Sequence, residues 1–350
     1  MNARCLLSPS PTTDTTHGEP ASALSRRAFL QRLTVAPAVP ALAHGIARAA
    51  APLSRGGRLR FGMISDIHPD MLPDGLERVQ AFVAAMQQAK VDFIIQLGDF
   101  CWPAPSNRRY LDAWNTYRGK AYHVLGNHDM DDGYTREQTV AYCGMPAMHY
   151  TFDAGPVRGI VLDANEPGGK ASGYKRFIGS EQLAWLERQL KETDRPTLVF
   201  VHQPFDRDHE DSVENGAEVR AVLEGAEKSR PGTVLAVFSG HLHMDFAREV
   251  NGIRYVEINS SAYWWLNNPA ARRETYAPEV HKKYKYLTHV AAYRDPLWAL
   301  VTVDLDRGEL VLEGRRTEWV GPDPWARGET TPRPREDLHP WISNRRLKLS

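Results

Sequence analysis

The chain has 350 residues, 42% hydrophobic and 25% charged, with formal net charge zero. That is ordinary globular composition with enough apolar material for a large core, and no global field points to nucleic acid or anionic lipid. Three cysteines without a C-x-x-C pair argue against a structural zinc module or a dense disulfide scaffold.

In chain order, Ser25-Arg26-Arg27 and Phe29-Leu30 come first. They precede an Ala-rich apolar stretch broken by Pro37, Pro40 and His44. Small-residue sites follow at Ala41-Leu42-Ala43 and Ala47-Arg48-Ala49. The stretch is too short and too polar to span a bilayer, so no transmembrane anchor is expected. It resembles a twin-arginine export signal over residues 1–49; the alternative is a basic leader that stays attached. The resemblance implies the twin-arginine export machinery as a partner, a slightly acidic mature chain, and a periplasmic or secreted location. Cys101 and Cys143 would then sit where pairing is allowed.

From Arg58 strand-like and helix-like segments alternate. "LRFGMISDIH" and "VDFIIQLGDF" are apolar runs that end in polar residues, as does "AYHVLGNHD". Between them "DGLERVQAFVAAMQQAK", with Asp74 as N-cap, and "NRRYLDAWNTYR" carry helical spacing. "MHYTFDAGPVRGIVLDAN" reads as a hairpin around Gly155-Pro156, and "SEQLAWLERQLKETD" as an amphipathic helix capped by Ser180. The apolar runs "PTLVFVHQP" and "TVLAVFSGHLH" flank a helical "GAEVRAVLEGAEK". Two further hairpins turn at Asn251-Gly252 and near Asp306-Arg307-Gly308. The alternation predicts an α/β core in a domain over residues 50–316. Residues 317–350, rich in Pro, Arg and Trp, read as an irregular C-terminal tail, either wrapped on the surface or disordered.

Five of the strand-like runs end in groups that bind metals. They are Asp66-Ile67-His68, Gly98-Asp99, Gly126-Asn127-His128-Asp129, His202 and Gly240-His241-Leu242-His243. In an α/β sheet the carboxyl ends of parallel strands share one edge, so distant residues can converge there. In extended chain, residues i and i+2 point the same way, which aims Asp66 with His68, and His241 with His243, into one cavity. Gly98, Gly126 and Gly240 permit a tight turn before each ligand. Carboxylate, imidazole and amide donors without thiolate suit Mn, Fe or Zn. Asp99 has two oxygens with which to bridge two ions, and a pair ~3.5–4 Å apart clamps a phosphoryl group and activates a bridging hydroxide.

D-x-H, G-D, G-N-H-D, a lone His after a strand and G-H-x-H, in that order from about Arg58 to Ile258, resemble the calcineurin-like metallophosphoesterases. The resemblance implies an α/β fold of two packed mixed β-sheets flanked by helices, a four-layer αββα sandwich. It further implies two divalent metal ions as cofactors. Asp66, His68 and His243 would hold the first, Asn127, His202 and His241 the second, and Asp99 both. His128 would face the substrate as a catalytic residue, with Asp129 either orienting it or capping the turn. "GDFCWPAP" offers no tyrosine ligand for iron(III), and Phe100-Cys101-Trp102 departs from the protein-phosphatase pattern. The G-N-H-D and G-H-x-H forms are more like the cyclic-nucleotide and bacterial phosphodiesterases.

The activity implied is hydrolysis of a small-molecule phosphate ester, by a phosphodiesterase or phosphomonoesterase using a metal-bridging hydroxide. Narrower alternatives are a cyclic-nucleotide or nucleotide hydrolase and a phospholipid- or phosphonate-directed one; the alternative of another class is a non-catalytic binder of metal or phosphate. No nucleic-acid-binding module is expected, and the oligomeric state is left open. Trp102, three positions after the bridging residue, is a substrate-binding candidate. Tyr263, Trp264 and Trp265 read as core packing before a substrate wall. Asp206 and His209 read as a solvated loop before a third metal site, Lys282, Lys283 and Lys285 as a solvated face, and His123 and His149 as structural.

Overall fold

The computed structural model describes residues 56–207, 210–331 and 335–349; the expected export signal lies outside them. Three strands, β1 (Arg58–Ile64), β2 (Phe93–Gln96) and β3 (Lys120–His123), pair in parallel, the first two on buried apolar runs and β3 at the edge. The late hairpin, β12 (Ala299–Asp304) and β13 (Glu309–Gly314), adds antiparallel to β1 and extends this sheet. Its turn falls at the predicted Asp306-Arg307-Gly308. Of the segment read as an irregular tail, Arg345–Lys348 forms β14 on the edge of β13. Leu338 and Ile342 reach the core. Two apolar anchors among prolines and arginines bury this segment, although they set up no strand periodicity.

The second sheet begins with the predicted hairpin, β4 (Tyr150–Ala154) and β5 (Val157–Val161). It continues in parallel through β6 (Thr197–Phe200), β7 (Val234–Ser239) and β9 (Ile253–Glu257), with β8 (Phe246–Val250) antiparallel on the far edge. A two-stranded ribbon pairs β10 (Tyr263–Trp265) with β11 (Val290–Ala292).

The two sheets close on a core with aromatic contacts across the layers. Phe61 stacks on Phe93 at 4.7 Å and meets Phe200 and Phe238 of the other sheet edge-on, each at 5.8 Å. Such edge contacts add ~0.5–1.5 kcal/mol per pair to area burial. Helices cover the outer faces. α1 (Gly75–Ala89) buries Val79, Phe82, Val83 and Met86 at helical spacing, alongside α2 (Arg108–Trp114). A Cβ on Gly62 would run into the Met86 sulfur, so glycine lets α1 lie close on β1. α4 (Ser180–Glu192) and α5 (Gly216–Ser229) cover the second sheet with Leu186, Leu190, Val219 and Leu223. The result is the expected αββα sandwich. Two caps differ from expectation. Asp74 makes no capping bond and pairs instead with buried Arg78 at 2.8 Å. The N-cap of α4 is Gly179, with Ser180 its first helical residue.

Candidate metal centre and the cleft beside it

β1, β2, β3, β6 and β7 all release the chain just before the five motifs, at one edge of the sandwich. The expected i, i+2 extension is not how the side chains converge. Asp66, His68, Asp99, His241 and His243 all have left-handed backbone, with φ between 47° and 74°. Each such residue costs on the order of 1 kcal/mol, and the backbone repays it locally. Asp66 N donates to Gly98 O at 3.1 Å, and Ile67 N and His68 N both donate to Asp99 O. The glycines act through space as much as through conformation. Only Gly98, at φ 106°, is left-handed, whereas a Cβ on Gly126 would strike Asp99 N and one on Gly240 would strike Ser65 Oγ.

Asp66, His68 and His243 place one donor atom each within 4.8 Å of one another, as do Asp99, His202 and His241. His243 Nε2 lies 3.3 Å and His68 Nε2 3.7 Å from Asp66 Oδ1. Asp99 Oδ2 joins the groups, 3.5 Å from His68 Nε2 and 3.1 Å from His202 Nε2. His241 and His243 therefore divide between the two groups, as the resemblance implies. Asn127 is buried, and its neighbour His128 donates its backbone N–H to Asp99 Oδ1 at 2.8 Å.

The donors fit divalent cations on three observations. Asp66 Oδ1, His68 Nε2 and Asn127 Oδ1 are buried without a hydrogen-bond partner, an arrangement too costly to keep unless something satisfies it. The other edge of each group is committed elsewhere. Asp66 Oδ2 accepts from Ser65 Oγ and from His241 N, His202 Nδ1 faces Leu97 O at 2.7 Å, and His243 Nδ1 faces Tyr263 O at 2.8 Å. Those carbonyls hold the proton on Nδ1 and turn the Nε2 lone pairs inward. Finally, His241 Nδ1 and His202 Nε2 face each other at 3.2 Å, two ring nitrogens that a shared cation would satisfy together.

Charge in the site is strongly coupled. Burial pushes the Asp66 and Asp99 carboxyls up, but the surrounding histidines overrule it and hold both well below the usual range. Burial lowers His202, and the Asp99 and Asp66 carboxylates raise it to about 9. Burial and neighbouring His202 drive His241 well down, toward the neutral form a metal needs.

Of the two expected catalytic residues, His128 stands at the centre, with a ring nitrogen within 4.8 Å of donors on His68 and Asp99. Asp129 caps the turn and does not orient His128. Its oxygens accept from Gly126 N and Cys101 N, both at 2.8 Å. The partner of the imidazole is Asp131, whose Oδ2 is 2.8 Å from His128 Nδ1. Tyr174 joins them, its hydroxyl donating to Asp131 Oδ1 at 2.8 Å and lying 3.1 Å from His128 Nδ1. Burial lowers His128, and the Asp99 and Asp131 charges raise it to about 9. Asp131 and Tyr174 escaped sequence reading; an acidic residue three positions after the motif histidine was the only local signal.

A cleft of about 430 Å³ opens beside Asn127, lined among others by Met130, Tyr134, Arg136, Asn165 and Tyr174. Trp102 is not part of this lining. It is half-buried, and its carbonyl accepts from Ala104 N and Asn107 Nδ2 in the turn that leads to α2. Tyr263 and Trp264 are buried, and the Trp265 ring lies 6.4 Å from that of His68. Asp206 pairs with Arg248 at 2.7 Å, and His209 lies outside the described residues. Cys101 and Cys143 are free thiols. No helix among the described residues is long and apolar enough to cross a membrane.

The sequence profile of the calcineurin-like phosphoesterases matches residues 59–245. A 3',5'-cyclic-nucleotide phosphodiesterase of Nostoc sp. is 24% identical over 59% of this chain and 79% of its own length. A probable cyclic nucleotide phosphodiesterase of Synechococcus sp. is 26% identical over 54% of this chain and 74% of its own. Among solved structures, a dimetal phosphatase from Danio rerio superposes with a TM-score of 0.52 at 16% identity, over 75% of this chain and 98% of that one. At that identity the likeness concerns the fold.

Proposed function

Because the chain belongs to the calcineurin-like phosphoesterase family, we propose that it is a dinuclear-metal phosphodiesterase acting on small-molecule phosphate esters. The observation that carries this reading is the pair of donor groups joined through Asp99, with three buried donor atoms left unsatisfied. Asp66, His68 and His243 would hold one ion, Asn127, His202 and His241 the other, and Asp99 both. Two bound divalent ions would supply Lewis-acid neutralisation of phosphoryl charge and a water that ionises near neutral pH. The chain supplies the rest. Leu97 O and Tyr263 O fix the ring orientation of His202 and His243. Asp131 accepts a hydrogen bond from the Nδ1–H of His128, which leaves Nε2 to hydrogen-bond the phosphoryl group or to protonate the departing oxygen. The two cyanobacterial relatives, named for cyclic-nucleotide phosphodiester chemistry, favour diesters over monoesters.

The test is metal-stripped protein re-supplied separately with Mn, Fe(II) and Zn. It is assayed on bis-p-nitrophenyl phosphate, p-nitrophenyl phosphate and a 3',5'-cyclic nucleotide. The diester turned over best, with at least one metal, is the expected result; no turnover of any ester with any metal removes the proposal. We also propose export by the twin-arginine route to the periplasm or beyond, on the strength of Ser25-Arg26-Arg27 and the apolar stretch after it. Replacing Arg26 and Arg27 together by lysine should trap the uncleaved chain in the cytoplasm.

A further inference from the structure

The segment between β5 and α4 does more than connect them. Its base is closed by Phe177 N donating to Ala164 O at 2.8 Å and Glu166 N to Phe177 O at 3.2 Å. Its middle is fastened by the Glu214 carboxylate, which accepts from Lys170 N and Ala171 N. A loop held at base and middle has a defined course, and Tyr174 lies on it between the two fastenings. This side chain is 46% exposed, so packing does not account for its placement. Its ring lies 4.6 Å from that of His128, and its hydroxyl meets both His128 Nδ1 and Asp131 Oδ1.

The tyrosine hydroxyl donates to Asp131 Oδ1, so the hydroxyl oxygen and Asp131 Oδ2 both face His128 Nδ1. Both are acceptors, so Nδ1 carries the proton and Nε2 is the ring nitrogen free for the reacting group. The same tyrosine forms a wall of the 430 Å³ cleft with Met130, Tyr134 and Pro167. Arg136 of that lining is paired with buried Asp163 at 2.6 Å, and Glu137 and Lys175 oppose each other in sign. The cleft therefore selects by shape and apolar contact and not by net charge.

The geometry points to Tyr174 as a positioning and specificity residue. It fixes the tautomer and aim of His128 and seats the leaving group of the ester, an uncharged aromatic or apolar alcohol, in the cleft beside it. This rests on the hydrolase reading above but is separable from it. If His128 Nε2 protonates the departing oxygen, its aim matters most for an alkoxide, which cannot leave unprotonated, and least for p-nitrophenolate, which can.

Tyr174→Phe keeps the ring and removes the hydroxyl. In the metal-loaded enzyme it should lower kcat about tenfold for a benzyl phosphodiester and less than about twofold for the p-nitrophenyl diester, with KM little changed for either. Tyr174→Ala should in addition raise KM for the benzyl ester over that for a methyl ester. Equal losses on both leaving groups, or none, overturn the inference while leaving the hydrolase reading intact. A readout independent of turnover is the ring ¹⁵N spectrum of the zinc-loaded protein. Tyr174→Phe should change the Nδ1 signal of His128 and leave those of His202 and His243, each on a backbone carbonyl, in place. An unaltered His128 signal defeats the inference even in a protein that hydrolyses nothing.

Discussion

The intersheet core and the metal-binding edge are built from the same strands on opposite terms. At Phe61, Phe93, Phe200 and Phe238 the strands present only apolar surface, in regular extended backbone, with rings in contact across the layers. A few residues further along, the same strands give way to left-handed backbone, buried carboxylates and donor atoms without partners. Burial of polar groups without partners is unfavourable, and so is the backbone strain. The comparison teaches that the core stabilises the sandwich, while the edge draws on that stability to keep ligands in place before any ion arrives.

The sharpest way to break this contrast is to alter both regions and read both activity and stability. Asp99→Asn removes the charge that joins the two donor groups. We expect activity to fall by about a thousandfold or more, with only a modest loss of urea stability in the metal-stripped protein, from the histidines that lose their carboxylate partner. A large loss of stability would mean that Asp99 belongs to the scaffold. Phe61→Ala is the mirror case. It should cost about 3–5 kcal/mol in urea unfolding of the metal-stripped chain, with the metal-loaded protein keeping most of its kcat at temperatures where it remains folded.

His123 tests the boundary between the regions. It is buried at the end of β3, four residues before Asn127, and its Nδ1 lies 3.1 Å from Gln96 Nε2. The amide donates, so the imidazole must be neutral, and burial holds it down to about 4. The unfolded chain takes up this proton near 6.5 and the folded chain only near 4. Stability is therefore full above about pH 6.5 and falls as the pH drops toward 4, by roughly 3 kcal/mol in total. His123→Gln should flatten that part of the stability–pH curve in the metal-stripped protein, and an unchanged slope would assign the acid sensitivity to the site itself. The smallest effect belongs to Ser65, whose hydroxyl bonds Asp66 Oδ2. Ser65→Ala should weaken binding of one of two zinc ions about tenfold in a chelator competition, with little change in unfolding.

Much of the scaffold was legible. The central parallel strands read as apolar runs, since both of their faces are covered, and the three hairpin turns carried Gly-Pro, Asn-Gly and Asp-Arg-Gly signals. What escaped were elements with too little periodicity to register: the short pairs Tyr263–Trp265 and Val290–Ala292, the helix α3 (Arg136–Cys143) and the strand at Arg345–Lys348. The donor residues of the centre were legible because each follows an apolar run directly. Asp131 and Tyr174 were not, since nothing local ties a loop tyrosine to a histidine 46 positions earlier.

Sequence alone determined the α/β alternation and the candidate donors at the strand ends, because apolar periodicity and the chemistry of oxygen and nitrogen ligands are local properties; the αββα layering came with the family resemblance. Tertiary structure decided which ring nitrogens of His202 and His243 turn inward, that Asp129 serves the backbone, and that Tyr174 reaches His128. Those outcomes depend on left-handed turns and long-range contacts, whose energies arise only once the two sheets have met.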